Sequence, residues 1–94
     1  MQPLARLLVQ VSAEPAIRAE LLRFCALIYI DENKLSKALE TNEEALSYFY
    51  KGEDFDGLTA ALWTKVLCLI RMQRAEDAII TFIELEKIAL ENIG

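Results

Sequence analysis

The side chains that could carry chemistry are two cysteines, a cluster of glutamates and one acidic loop, and the 94 residues contain no histidine. That lack removes the usual general base, the usual zinc ligand and every Ser-His or Cys-His pair at once. Cys25 and Cys68 would need another cation, such as Arg23 or Arg71, or a helix N-terminus, to become reactive thiolates. Both lie in long apolar runs, where cysteine behaves as a small hydrophobe. Cys25 reads as core, and Cys68 falls on the more open face of its helix. Glu40, Glu43 and Glu44 lie within a turn of one another. Paired carboxylates do acid–base work when one is buried with a raised pKa, but these three fall on the polar side of an amphipathic helix and read as a solvated face. Glu53-Asp54-Phe55-Asp56-Gly57 faintly suggests a calcium loop. With Gly57 in the glycine place of such a loop, Gly52, Asp54 and Asp56 take the first three ligand places and Trp63 the closing one. The first ligand and the closing carboxylate are thus missing, and a capped, solvated loop with Asp56 as N-cap is the better reading. There is no phosphate-cradling glycine loop and no Gly-x-Ser-x-Gly. The expectation is a non-enzyme with no catalytic residue, no metal and no cofactor.

Whatever these side chains do, a small all-α domain must position them. Apolar residues make up 54% of the chain and charged residues 27%, too apolar for a disordered chain and too interrupted by charge for a membrane span. Ten basic against fifteen acidic residues leave a net charge of −5, which argues against nucleic-acid partners. Two cysteines with no short spacing do not make a disulfide framework, and a reducing, cytoplasmic compartment is the default. Met1 to Val11 has a weak apolar centre interrupted by Gln10, and reads as a helix, not a signal peptide.

Three glycines, two prolines and no period-two alternation predict helices throughout. A short first helix runs from about Pro3 to Val11, and a second from Pro15 to about Ile30, with each proline in the tolerated opening turn. The second is apolar nearly all round, so it must be surrounded or must cover a partner. Asp31-Glu32-Asn33 forms a turn in which Asn33 can take the left-handed conformation. A third helix spans about Lys34 to Tyr50. Lys51 to Gly57 is the clearest loop, and further helices span about Leu58 to Met72 and Ala75 to Glu91. Short turns make neighbours antiparallel. The domain divides into a half-unit (1–15), a first hairpin (16–50), a loop (51–57) and a second hairpin (58–92).

The two hairpins can be laid on each other. Asn33-Lys34-Leu35-Ser36-Lys37-Ala38 and Gln73-Arg74-Ala75-Glu76-Asp77-Ala78 each cross a turn, 40 residues apart. At that offset Leu22 meets Leu62, Leu27 meets Leu67, Ile30 meets Ile70, and Thr41 meets Thr81. Here the chain resembles the tetratricopeptide repeat (TPR) family, whose turn typically reads Gly-Arg-aromatic-Glu-Glu-Ala. Ala26 and Tyr29 stand where that family places a small residue and an aromatic, and Phe82 fits the aromatic of the second helix. The departures are a spacing longer than the usual ~34 residues, with the surplus assigned to the Lys51–Gly57 connection, and Val66, Asn42 and Lys65 at three signature sites. The resemblance implies a short α-solenoid of about two and a half repeats. A four- or five-helix bundle is the alternative.

In that architecture the first helix of each unit lines the concave side. The resemblance thus implies a partner-binding surface of Arg23, Phe24, Leu27 and Ile30 from the first unit, and of Trp63, Leu67, Ile70 and Arg71 from the second. Leu27 and Thr64 replace the asparagines of the family's carboxylate clamp, so an amphipathic helix suits this groove better than a chain terminus. Buried placement of Trp63 and Phe24 in the core is the competing reading. The last helix is apolar on more than one face. Ile79, Ile80, Ile83 and Leu90 are its candidate self-association residues, with a symmetric homodimer the simplest arrangement. The expectation is a protein–protein interaction module, an adaptor or scaffold that binds a protein or peptide partner and self-associates, without nucleic acid or membrane. The alternative is a dedicated helical subunit or TPR-type chaperone of one fixed assembly, such as a bacterial secretion or regulatory complex.

Overall fold

In a computed structural model, which describes residues 14–92, four helices of 17 residues each follow one another: α1 (Pro15–Asp31), α2 (Leu35–Lys51), α3 (Phe55–Arg71) and α4 (Ala75–Glu91). The expected helix at Pro3 to Val11 lies outside the described residues. Each connection is three residues long and is built the same way. Asn33, Glu53 and Gln73 adopt left-handed backbone with φ of 61°, 53° and 61°. Around each, the chain closes a Schellman motif: Lys34 N donates to Tyr29 O at 2.8 Å, Asp54 N to Phe49 O at 3.1 Å, and Arg74 N to Leu69 O at 2.9 Å. These bonds satisfy carbonyls that a helix end would otherwise leave without partners.

The Lys51–Gly57 segment is therefore not a long loop. Lys51 ends α2, and Phe55, Asp56 and Gly57 form the first turn of α3. The N-cap is Asp54 instead of Asp56: its Oδ1 accepts from Gly57 N at 3.0 Å. Asp56 lies in the first turn, where a negative charge meets the positive end of the helix dipole. The 40-residue spacing is two 17-residue helices and two three-residue connections, with no surplus in the Lys51–Gly57 segment.

Neighbouring helices pack in sequence, and α1 also touches α3, while the backbones of α1 and α4 do not approach each other. The result is an open stack of antiparallel hairpins, a slab of 36 × 32 × 14 Å. Fully buried alanines (Ala19, Ala38, Ala45, Ala61) let the helices come close, and Phe49, Leu22, Leu62 and Leu69 fill the space between them. The first hairpin and α3 share the largest core cluster. Cys68 joins Ile30 and Ala38 in a second, and Val66, Leu69 and Ala78 close α3 against α4.

Cys68 is thus not on an open face. It is 1% exposed, and its Sγ donates to Leu35 O at 3.3 Å. Thr64, one turn before Cys68 on α3, is also buried and donates its hydroxyl to Ala60 O at 3.0 Å. The polar side chains on α3 misled because a small residue can be polar and still sit at a helix crossing.

Candidate functional site: an apolar groove on the second hairpin

The side chains with chemical potential are placed as structural groups. Cys25 and Cys68 are both free and buried. Burial pushes the Cys68 thiol above its ordinary pKa despite Arg74 nearby, the opposite of what a reactive thiolate needs. Glu43 pairs with Lys65 Nζ at 2.9 Å across the α2–α3 crossing, while Glu40 and Glu44 are exposed. Among the described residues no group of three or more metal-ligating side chains comes together, and no helix is long and apolar enough to cross a membrane. Tyr50 donates to Glu84 Oε1, joining the end of α2 to α4. Partial burial, and then that carboxylate, push its phenol up to about 12.

What the fold leaves open is apolar. Trp63 is 48% exposed and Ile70 57%, so the indole is not core. They face Ile79, 60% exposed, and Phe82 across the α3–α4 hairpin. With Val66, Ala75 and Ala78 they line a groove of about 400 Å³ whose walls carry almost no polar surface. Helical spacing explains the grouping. Trp63, Val66 and Ile70 recur at i, i+3 and i+7 on α3, and Ala75, Ala78, Ile79 and Phe82 at i, i+3, i+4 and i+7 on α4. Val66 and Ala78, the two buried lining residues, form the floor, and Ala78 is too short to fill the space between the helices; Ala75 is exposed.

Several expected site residues are placed differently. Ile30 is 7% exposed and packs with Ala38 and Cys68 in the core, so it is withdrawn from the partner-binding set. The reason is the pairing of α3 with the first hairpin, which covers that end of α1. Phe24 is half exposed and is not among the residues that line the groove with Trp63. Forty residues on, its counterpart Thr64 is buried. Arg23 pairs with Glu20 and lies 5.0 Å from the centroid of the Phe24 ring. Leu27 is half-buried; Leu67 and Arg71 are exposed on α3.

The self-association set also divides. Ile79 lines the groove with the partner-binding residues, and Ile83 and Leu90 are exposed one and three turns further along. Ile80 lies on a different side, beside Leu39, Glu43, Lys65 and Glu84. Phe82, Val66, Ala75 and Ala78 were not singled out as site residues. The apolar run of α4 contained that information, but only the position of α3 tells which of its faces is open. No family model, curated protein or solved structure matches the chain.

Proposed function

We propose that this protein is a non-catalytic interaction module, a TPR-like adaptor that seats an amphipathic helical segment of a protein partner in the groove between α3 and α4. The observation that carries the reading is the groove itself: a continuous apolar surface built around a half-exposed tryptophan and three half-exposed large hydrophobes. Contiguous apolar surface of this kind marks interaction sites, and a helix laid into a groove through anchors at i, i+3/i+4 and i+7 fits its shape. Trp63 is the single tryptophan, so its emission reports on the groove without a label.

The test is a titration with members of a displayed library of amphipathic 18-residue helices, reading Trp63 fluorescence. Binding should shift the emission to the blue. Ile70→Glu and Ile79→Glu should each weaken binding about tenfold or more, because each puts a carboxylate into a desolvated seat. Circular dichroism should remain helical for both. Peptides that bind equally well to both variants, or a library that yields no binder, would overturn the assignment.

A further inference from the structure

The groove has a counterpart inside the molecule, and that counterpart is occupied. Forty residues earlier, Ile70, Ala75, Ala78 and Ile79 become Ile30, Leu35, Ala38 and Leu39. Those four share a core cluster with Cys68 of α3 and with Met72, the residue that caps the end of that helix. The first hairpin thus seats a helix where the second hairpin has a groove that no described residue fills. The seated helix uses one narrow stripe. Gly57, Ala61, Thr64 and Cys68, at i, i+4, i+7 and i+11, are all buried. Gly57 lies against the Phe49 ring, Ala61 O accepts from Asn42 Nδ2 at 2.8 Å, and Cys68 reaches Leu35 O.

The same stripe on α1 is Ile17, Leu21, Phe24 and Ile28. It is entirely apolar, with Ile17 and Phe24 about half exposed and Leu21 and Ile28 part-buried. The internal junction sets small residues of α3 against the hairpin, and at two of its three contacts the open faces reverse the sizes, while the third, Ala61 against Asn42, becomes Leu21 against Phe82, apolar on both sides. Gly57 against Phe49 becomes Ile17 against Ala89, and Cys68 against Leu35 becomes Ile28 against Ala75. The polar groups of the internal seat are also replaced: Asn42 by Phe82, and Glu43 by Ile83. Among the described residues, α1 therefore carries a large-residue ridge and the second hairpin an apolar seat that is small at Ala75 and Ala89, in the register that the fold already uses once.

We infer that the groove accepts α1 of a second copy of this chain, so that the molecules stack head to tail and continue the internal repeat. This rests on the groove reading above and names its occupant. The contact is heterologous, with different surfaces on the two partners, so it propagates into rings or filaments instead of closing as a symmetric dimer. Each added molecule presents a fresh groove at one end and a fresh ridge at the other.

The experiment is light scattering and sedimentation of the full chain from about 1 to about 300 µM, the range in which micromolar contacts fill. Phe24→Lys removes the ridge and Ile79→Lys the groove; both positions are exposed, and Ile17→Lys and Ile83→Lys are second variants should either first choice lose helicity. The wild type should gain mass continuously with concentration. Each variant alone should stay at the 10.7 kDa of one chain, and an equimolar mixture should stop at twice that mass, because only one intact ridge meets one intact groove. A symmetric α4–α4 dimer would be abolished by Ile79→Lys and indifferent to Phe24→Lys, which overturns the inference. So does an α1 face covered by the chain's own first thirteen residues, for which Phe24→Lys changes nothing. A wild type that stays monomeric throughout also overturns it. If the amphipathic peptides still shift Trp63 emission in that case, only the occupant is wrong and the groove reading stands.

Discussion

The junction between α2 and α3 permits one perturbation whose sign, not only its size, is set by the structure. Gly57 is the third residue of α3, and its backbone is not left-handed, so nothing conformational requires glycine. On helix propensity alone, Gly57→Ala stabilises by up to about 1 kcal/mol. Packing says otherwise. A methyl group there would overlap Cε1 and Cδ1 of Phe49 and stand 2.9 Å from Asp54 Oδ2. Phe49 is 1% exposed and enclosed by Ala19, Leu22, Leu58 and Leu62, so the ring cannot swing aside without disturbing the largest core cluster. Overpacking of this kind costs about 1–3 kcal/mol. The clash also reaches the carboxylate that caps α3. The net expectation is a loss of about 1–2 kcal/mol. Urea denaturation followed by circular dichroism and by Trp63 emission should show the midpoint falling with an unchanged slope. Phe49→Leu in the Gly57→Ala background should recover part of the loss, although Phe49→Leu alone destabilises. A Gly57→Ala protein more stable than the wild type would refute the seating of Phe49 beneath the first turn of α3, and with it the register on which the stacking inference depends.

Two further outcomes follow from the connections. Glu53 holds φ 53° without being glycine, while Gly52 beside it has an ordinary φ of −85°, so Glu53→Gly should raise stability by about 1 kcal/mol in the same urea assay. Tyr50 has its folded pKa raised to about 12 from an unfolded value near 10. A raised pKa means that its contribution is complete below pH ~10 and is lost as pH rises through ~12. Stability should therefore fall across that window, and Tyr50→Phe should flatten this part of the profile when thermal midpoints are compared.

The four helices, their order and their 40-residue repeat were legible in the sequence because apolar periodicity survives in each hairpin. The Asn33 turn was legible because asparagine tolerates left-handed backbone. The turn at Glu53 was not: a run of Gly, Asp and Gly reads as a loop, yet Asp54 and the Schellman bonds compress it to the same three residues as its neighbours. At the site, Trp63 and Ile70 were expected on a partner-binding surface from the family resemblance, and Ile79 in a self-association set from the surplus apolarity of α4. That the three line one groove depends on how α3 and α4 cross, and no local pattern encodes that crossing. Ile30 was misassigned for the same reason. Its counterpart Ile70 is half exposed, and the only difference between them is that α3 covers one and no described residue covers the other.

That difference is also the functional argument. In a stack of equal units each hairpin presents the same seat, and the units inside the stack fill it for one another. A seat that no unit fills can be lost by substitution to polar residues. Between the two hairpins the substitutions run the other way: Asn42 to Phe82 and Glu43 to Ile83 make the second seat more apolar than the first. Solubility alone would favour the reverse, because exposed isoleucine and phenylalanine promote non-specific association. An apolar seat that no described residue fills is coherent when something docks there. The stripe of α1, apolar where the equivalent stripe of α3 is small and partly polar, has the complementary shape.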